Sequence, residues 1–290
     1  MHGDLGKRLG FIGCGNMGGA ILKGIVRAGL AQPEQMLVYD ANPDAQRALV
    51  EAYGVRGAED NADLVRRADI IFLAVKPIVC SEVLEDIRRH LLPGKILVSI
   101  VAGWAVEQLE QYLPSDSKVL RVMPNTPALV GEGMLCVSKL NNLEPEELET
   151  VTSLLACLGK VELVEEAWMD GVIGVSGSGP AFVYLMIEAM ADAGVLQGLP
   201  RQLAYTLAAQ TARGAATMVL DTGVHPGELK DRVCSPGGTT IEGVFELEKR
   251  GFRHAVMSAV DRTAEKSRAM AQQQKAATDL DREEPDFLED

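Results

Sequence analysis

A glycine-rich turn near the N-terminus constrains the fold of this chain more than any other feature. Residues 13–18 (GCGNMG) have the spacing G-x-G-x-x-G and follow an apolar segment, Leu9–Ile12. An amphipathic helical pattern comes next and ends near Gly29. Glycines at these positions permit a tight turn from strand to helix and let a ligand approach the backbone. The motif therefore predicts a strand, a turn and a helix whose N-terminus can bind a pyrophosphate.

An acidic residue strengthens this prediction. The next apolar segment, Met36–Tyr39, is followed by Asp40, about twenty residues beyond the last glycine, where an acid commonly binds the adenosine ribose hydroxyls. An ordinary structural glycine turn is the alternative. The two features together favour a dinucleotide-binding site.

Apolar strands alternate with helices as far as about residue 165. Apolar runs at residues 70–75, 96–100, 119–123, 134–137 and 161–164 predict further strands. Near-continuous runs of this kind are typical of buried parallel strands. Ligands of such sheets bind at the carboxyl ends of the strands, so we expect Lys76, at one of these ends, beside the cofactor rather than merely solvated. The predicted cofactor-binding residues are Gly13, Gly15, Asn16, Met17, Gly18, Tyr39, Asp40, Asn61, Ala74, Val75, Lys76, Pro77, Ala102 and Gly103.

The second half of the chain has helical patterns only. Residues 174–180 (GVSGSGP) predict a loop that leads into a helix from Ala181 to about Ala193. A second long helix is expected after Pro200, and a third from about Phe252 to Gln274. These helices are rich in apolar and small residues, and such helices are usually buried inside a larger assembly. We therefore expect a helical domain that joins two subunits.

A second ligand-binding turn is predicted within this helical half. Residues 235–238 (SPGG) cannot form regular helix or a central strand, and Thr239 or Thr240 can cap the helix that follows. A helix N-terminus behind two glycines suits a carboxylate or a phosphate. An ordinary turn before a capped helix is the alternative. The predicted substrate-binding residues are Ser235, Gly237, Gly238, Thr239 and Thr240.

Composition and isolated residues exclude several classes of protein. The net charge of −13 argues against nucleic acid or an anionic membrane as a partner. The five scattered cysteines contain no C-x-x-C pair, the acids show no metal-ligand spacing, and no signal peptide or membrane-spanning run is evident, so a reducing cytoplasm is expected. Ser176 and Ser178 lack the G-x-S-x-G spacing of serine hydrolases. His225 is expected to be a turn or cap residue, and nothing marks Cys234 as an activated thiolate.

A dinucleotide site combined with an anion-binding turn suggests hydride transfer to or from a small carboxylate. Ketone reduction usually needs a proton donor, and no clear general acid is present. A protonated cyclic imine already carries its positive charge, so it needs carboxylate capture, a hydroxyl near the ring nitrogen and correct placement.

The motifs together resemble the Δ1-pyrroline-5-carboxylate reductases, most closely the bacterial members. The resemblance rests on residues 11–18, 74–77, 123–127, 175–181 and 225–242. It implies NAD(P)H-dependent reduction of Δ1-pyrroline-5-carboxylate to L-proline, the last step of proline biosynthesis. It further implies that Ser235, Gly238 and Thr239 hold the substrate carboxylate and that the Thr240 hydroxyl approaches the ring nitrogen, with Thr240 and Ser235 as the catalytic residues.

The resemblance also implies an α/β fold with two domains. Residues 1–165 are expected to form a Rossmann-like doubly wound sheet that binds NAD(P). Residues 166–275 are expected to form an all-α substrate-binding and dimerisation domain, with dimers often building larger rings. Residues 276–290 are expected to be an acidic, disordered tail, because residues 279–290 contain seven acids and one base.

Asp40 departs from the family pattern, in which an uncharged or basic residue is common at this position and NADPH is often preferred. Asp40 would repel a 2′-phosphate unless a cation such as Arg47 or Arg56 compensates. We therefore expect both cofactors to work, with NADH better than is usual in the family.

Two other functions remain open at this point. A β-hydroxyacid dehydrogenase or another imine reductase should carry a catalytic lysine or acid on the helix after residues 174–180. That helix begins at Pro180 without a lysine. A nucleotide-sensing module would keep the glycine turn but would not need residues 235–240.

Overall fold

The computed structural model describes residues 6–283, with side chains described as far as residue 274. The chain forms two compact units. The first, which we call the sheet unit, comprises Met1–Gly177 and Ala264–Asp290. The second, the helical unit, is Ser178–Thr263. The predicted boundary at residue 165 therefore falls inside the sheet unit, to which the end of the last helix also belongs.

The sheet unit is built from alternating strands and helices. Its elements in chain order are β1 (Leu9–Ile12), α1 (Asn16–Ala28), β2 (Met36–Tyr39), α2 (Pro43–Tyr53), β3 (Arg56–Gly57), α3 (Asn61–Arg67), β4 (Ile70–Leu73), α4 (Cys80–Ile87), β5 (Ile96–Ser99), α5 (Val106–Gln111), β6 (Lys118–Met123), β7 (Gly133–Ser138), α6 (Pro145–Ala156), β8 (Gly159–Val164) and α7 (Met169–Val172). The strand order is β3-β2-β1-β4-β5-β6-β7-β8. All neighbouring strands are parallel except β6 and β7.

The register of the central strands brings their carboxyl ends to one level. Ile12 of β1 lies opposite both Tyr39 of β2 and Leu73 of β4, and Leu73 lies opposite Ser99 of β5. The segments that follow these strands therefore emerge side by side. This edge is where parallel α/β sheets bind ligands.

Two apolar layers cover the faces of this sheet. One includes Phe11, Ile21 and Val98, and the other includes Ile12, Leu64 and Leu97, all fully or almost fully buried. Phe11 and Phe72 stack with ring centroids 5.0 Å apart. Helix α1 turns its apolar stripe to this core and ends at Gly29, whose left-handed conformation closes the helix.

The helical unit contains α8 (Gly179–Leu196), α9 (Arg201–Thr222), α10 (Pro226–Val233) and α11 (Thr239–Lys249), followed by α12 (Phe252–Glu283), which continues into the sheet unit. Its buried apolar cluster is small and consists of Ala191, Ala204 and Ala208. Most large apolar side chains of α8 and α9 are exposed in the single chain.

Two expectations about local structure were wrong. Residues 173–177 form a π-helical turn rather than a loop, so α7 runs almost directly into α8, which begins at Gly179. The Asn125 side-chain amide donates to the Ser176 carbonyl across 3.1 Å, a tertiary contact that holds this turn. The N-cap of α11 is Gly238, because Thr239 and Thr240 already have helical geometry.

Helix α12 extends beyond its predicted end at Gln274. It runs to Glu283, so residues 276–283 of the expected disordered tail are helical. Alanine, glutamine and lysine, which favour helix, are frequent between Met270 and Ala277 and carry the helix forward. The rest of that tail, residues 284–290, lies outside the described residues.

One stretch has the length and composition of a membrane span, contrary to the expectation that no run is long enough. Within Glu166–Leu196 an 18-residue window has a mean hydropathy of 1.4, and 6% of it is buried. Length and composition are weak evidence for a membrane span, since a helix that packs against other protein passes the same test.

Candidate active site

The glycine turn after β1 forms a cradle that side chains would fill. Gly13 has φ 96°, and a Cβ on it would lie 2.6 Å from the Ala74 carbonyl oxygen. A Cβ on Gly18 would collide with the Gly13 carbonyl oxygen, whereas one on Gly15 would meet nothing within 4 Å. The first and third glycines thus permit close packing, and the second faces open space. That arrangement fits a ligand lying against Gly15.

The N-terminus of α1 offers free hydrogen-bond donors at this cradle. Asn16 and Met17 begin the helix, its N-cap Gly15 makes no side-chain cap, and no acid lies in the first turn. The first N–H groups of a helix have no partner within it, and its dipole favours a negative charge. These residues therefore fit the pyrophosphate of a dinucleotide.

Asp40 is held at the end of β2 by two backbone donors. The Cys14 N–H donates to its Oδ2 across 2.7 Å, and the Asn42 N–H donates to its Oδ1 across 2.8 Å. The Gly13 N–H donates to the Tyr39 carbonyl across 2.9 Å. The carboxylate is thus tied to the glycine turn, at the carboxyl edge of the sheet.

The segments after β4 and β5 lie at the same edge. The Ala74 N–H donates to the Ile12 carbonyl across 2.8 Å, so Ala74 and Val75 leave the sheet beside the cradle. Lys76 is exposed and precedes a short 3₁₀ helix that begins at Pro77. The Trp104 indole N–H donates to the Pro77 carbonyl across 3.2 Å and joins this segment to the one after β5.

Ala102, Gly103 and Asn61 complete the predicted cofactor set. Ala102 and Gly103 follow β5, and Gly103 has φ 78°. Asn61 is the first residue of α3, and its side-chain amide donates to Asp86 Oδ2 across 2.9 Å. Asn61 is therefore engaged with α4, whereas the other residues of the set gather around the carboxyl ends of β1, β2, β4 and β5.

The predicted substrate turn is a tight turn at the N-terminus of α11. The Gly238 N–H donates to the Ser235 carbonyl across 3.0 Å, and Gly237 has φ 65°. Glycine suits that left-handed position. A Cβ on Gly238 would collide with the Ser235 hydroxyl oxygen, so this hydroxyl lies directly over the Gly238 backbone.

The start of α11 presents donors and hydroxyls together. Its N-cap Gly238 has no side-chain cap, and Thr239 and Thr240 occupy the first two helical positions. Thr239 is exposed and Thr240 is half-buried. The structure thus brings all five predicted substrate-binding residues into one turn that can bind an anion.

The surroundings of Cys14, Cys80 and His225 do not indicate catalytic roles. Burial raises the pKa of Cys14 to about 12, with a further contribution from Asp40, and burial raises the pKa of Cys80 to about 12. Neither thiol is an ionised nucleophile at neutral pH. His225 accepts a hydrogen bond from the Gly227 N–H across 3.0 Å and caps α10, as expected. Within residues 6–283 no group of three or more His, Cys, Asp or Glu side chains could hold a metal ion.

Two residues that the sequence did not single out position Asp40. Asn42, whose N–H binds the carboxylate, is the N-cap of α2, and Gln46 lies one turn into that helix. Asn followed by Pro43 is a recognisable helix start, so α2 could have been predicted. The contact between Gln46 and the Asp40 backbone depends on how α2 packs and left no signal in the sequence.

Family models match both the N-terminal and the C-terminal part of the chain. Residues 166–270 match the family model "Pyrroline-5-carboxylate reductase dimerisation", and residues 8–103 match "NADP oxidoreductase coenzyme F420-dependent". The C-terminal match indicates that the chain oligomerises through this region.

Among solved structures, the chain resembles the NADP-bound pyrroline carboxylate reductase of Plasmodium falciparum. That comparison has a TM-score of 0.84 and 37% identity, and it covers 93% of this chain and 100% of the other. The pyrroline-5-carboxylate reductase of Coxiella burnetii gives a TM-score of 0.84 at 30% identity and covers 91% and 98%.

The curated relatives give the same result with higher identity. The pyrroline-5-carboxylate reductase of Escherichia coli K12 is 49% identical over 91% of this chain and 98% of its own length. The enzyme of that name from Methanosarcina acetivorans is 44% identical with the same coverage. Identity of this size over nearly the whole of both chains means that this chain, an NAD(P)-dependent oxidoreductase, belongs to the pyrroline-5-carboxylate reductase family.

Proposed function

We propose that this protein reduces Δ1-pyrroline-5-carboxylate to L-proline with NADPH or NADH, the last step of proline biosynthesis. The observation that carries the proposal is the turn before α11. It places the Ser235 hydroxyl and the uncapped N–H groups of the helix together, without a side chain that already satisfies them. A small carboxylate fits such a site.

The glycine cradle would hold the cofactor. Gly13, Gly15 and Gly18 let the pyrophosphate approach the N-terminus of α1, where Asn16 and Met17 begin the helix. Asp40 lies where the adenosine ribose is expected. The segments after β4 and β5, with Ala74, Val75, Lys76, Pro77, Ala102 and Gly103, complete the cofactor-binding set.

The substrate carboxylate is held at the N-terminus of α11. The Ser235 hydroxyl and the Thr239 N–H donate to it. The Gly238 N–H closes the turn by donating to the Ser235 carbonyl, and Gly237 gives the turn its left-handed residue. The positive end of the helix dipole adds to the attraction. The ring of the substrate is thereby fixed in one orientation.

The reaction itself needs little from the protein beyond placement. The imine nitrogen of the substrate is protonated, so the C=N carbon is electrophilic before hydride arrives. A bound cofactor would supply a hydride to that carbon, the C=N π electrons would become the nitrogen lone pair, and the cofactor would be oxidised by two electrons. The Thr240 hydroxyl oxygen accepts the N–H of the ring and holds it in position. Because the nitrogen already carries its proton, no general acid is required.

The proposed active form is a homodimer joined through the C-terminal helices, with dimers assembling into a ring. The exposed apolar side chains of α8 and α9 support this assembly. A second copy also accounts for the apolar stretch within Glu166–Leu196 without a membrane. The net charge of −13 supports the absence of nucleic acid and of an anionic membrane as partners, and the enzyme is proposed to act in the cytoplasm.

Initial rates with Δ1-pyrroline-5-carboxylate test the proposal, with proline identified as the product. Thr240→Val and Ser235→Ala should each lower kcat/KM for the substrate by about 10²-fold, because each removes a group aimed at the substrate. The dissociation constants of NADH and NADPH should not change. Thr150→Val, which removes a hydroxyl that bonds only to its own helix, is the matched control. Absence of turnover by the wild-type enzyme, or full activity of both variants, would show that the assignment is wrong.

A further inference from the structure

We propose that this reductase is selective for NADH, that Asp40 sets this selectivity and that Gln46 positions Asp40. The inference rests on the proposed nicotinamide-dependent reaction and adds the identity of the cofactor. A neutral site or a free cation would accept the 2′-phosphate of NADPH. The end of β2 provides neither of these.

The first argument is that the Asp40 carboxylate cannot turn away. Both of its oxygens accept backbone N–H groups, from Cys14 across 2.7 Å and from Asn42 across 2.8 Å. One donor belongs to the glycine turn and the other to the N-terminus of α2. Rotation of the carboxylate away from an incoming phosphate would leave both donors without their acceptor. The negative charge therefore stays beside the adenosine ribose position.

The second argument is that Gln46 holds the backbone of Asp40 in position through a hydrogen bond. The Asp40 N–H donates to Gln46 Oε1 across 3.2 Å, and Gln46 Nε2 donates to the Ala58 carbonyl across 3.0 Å. Gln46 thus connects the end of β2 to the segment after β3. Gly57 leaves room for this contact, since a Cβ on Gly57 would lie 2.8 Å from Gln46 Nε2.

The third argument concerns the nearby cations. Arg47 forms an ion pair with Asp44 across 3.3 Å on the exposed face of α2. Arg56 is exposed on β3, and its backbone lies opposite Leu37, before the end of β2. Neither forms a hydrogen bond or ion pair with Asp40 among the described residues. A 2′-phosphate carries a charge of about −1.5 to −2 at neutral pH and would lie against an unneutralised carboxylate.

The ribose hydroxyls of NADH suit the same carboxylate. A hydroxyl donates to a carboxylate oxygen, and each Asp40 oxygen has lone pairs beyond the one that its backbone donor uses. NADH therefore gains a charge-assisted hydrogen bond at the position where NADPH meets repulsion.

The test measures dissociation constants of NADH and NADPH for the full-length protein by titration of cofactor fluorescence, without substrate. Wild-type protein should bind NADH at least about tenfold more tightly than NADPH. Asp40→Asn and Asp40→Ser should each reduce that ratio by at least about tenfold, mainly through tighter binding of NADPH. Because two different Asp40 variants are used, the test still decides if one of them does not fold.

Gln46→Leu tests the positioning role. The leucine is similar in size to glutamine but makes neither hydrogen bond, so the ratio of the two dissociation constants should shift in the same direction by about threefold. A merely structural role would weaken the binding of both cofactors equally. Arg47→Ala and Arg56→Ala are the matched controls and should leave the ratio as it is in the wild type.

Equal or tighter binding of NADPH by the wild type would overturn the proposal, as would an unchanged ratio in both Asp40 variants. Because these titrations need no substrate, a chain that prefers NADH but does not turn over Δ1-pyrroline-5-carboxylate would contradict the proposed reaction alone. A chain that makes proline but prefers NADPH would contradict the selectivity alone.

Discussion

The sheet unit and the helical unit contain similar apolar residues but cover them differently. In the sheet unit, Ile21, Leu22 and Ile25 of α1 are completely buried against the strands. In the helical unit, Leu185 of α8 is 68% exposed and Leu196 is 84% exposed. The sheet unit therefore completes its own core, and the helical unit does not.

This difference shows which part of the chain requires a second copy. The buried cluster of the helical unit consists of three alanines, too little apolar surface for a domain of this size. The region matched by the dimerisation family model includes all of this unit. Exposed apolar faces that would be a defect in a monomer become the interface of an oligomer.

The largest effect is expected from charge on the exposed apolar face. Leu185→Asp combined with Leu207→Asp should abolish oligomerisation and with it the activity, because a carboxylate is costly to bury without a partner. Light scattering after size-exclusion chromatography reports the mass. Leu92→Asp is the control, because it makes the same change at an exposed leucine of the sheet unit. It should change neither the mass nor the activity. An unchanged mass in the double variant would mean that the interface lies elsewhere.

A smaller effect, confined to the sheet unit, is expected at the glycine cradle. In Gly15→Ala the new methyl group enters open space where the cofactor should lie, so cofactor affinity should fall about tenfold while Tm stays close to wild type. In Gly18→Ala the methyl group collides with the backbone of Gly13 and should destabilise the protein by about 1–3 kcal/mol. Thermal unfolding and cofactor titration separate the two effects. If both variants lost only stability, Gly15 would not line the cofactor site.

The smallest effect is expected from the ion pair between Lys118 and Glu147 in the sheet unit. Burial opposes ionisation of Glu147, but hydrogen bonds from Lys118 and the Glu144 N–H outweigh burial and lower its pKa. A lowered pKa in the folded state stabilises the fold at neutral pH, and that stabilisation is lost as the pH falls below the ordinary value of 4.5.

Glu147→Gln should accordingly cost about 1 kcal/mol or less at pH 7, and the difference from wild type should shrink at pH 3.5. Urea unfolding at both pH values measures it. A difference that grew on acidification would show that the pKa is not lowered. The oligomeric mass should be unaffected, since the pair belongs to the sheet unit.

The sheet unit was the more predictable half because its patterns are local. Most strands, such as Ile70–Leu73, carry apolar runs, and the glycine motif marks the turn into α1. The short β3 (Arg56–Gly57) has no apolar run and was not predicted. The turn before α11 was predictable for the same reason, since the hydrogen bond from the Gly238 N–H to the Ser235 carbonyl lies within four residues. Its helix cap was assigned wrongly because threonine at the first helical positions resembles threonine at an N-cap.

The features that escaped prediction depend on tertiary contacts. The π-helical turn at residues 173–177 is held by Asn125, which lies 51 residues before its partner Ser176. The contact of Gln46 with the Asp40 backbone depends on the packing of α2 against β2 and β3. Neither contact follows from the periodicity or composition of its own segment.

Isotope transfer from labelled NADH would test the proposed reaction most directly. The full-length enzyme is incubated with Δ1-pyrroline-5-carboxylate and NADH that carries deuterium at the transferable position of the nicotinamide, and the product is analysed by mass spectrometry and NMR. We expect L-proline with one deuterium on the carbon of the former C=N bond. Proline without deuterium, or oxidation of the cofactor without proline, would contradict direct hydride transfer to the imine.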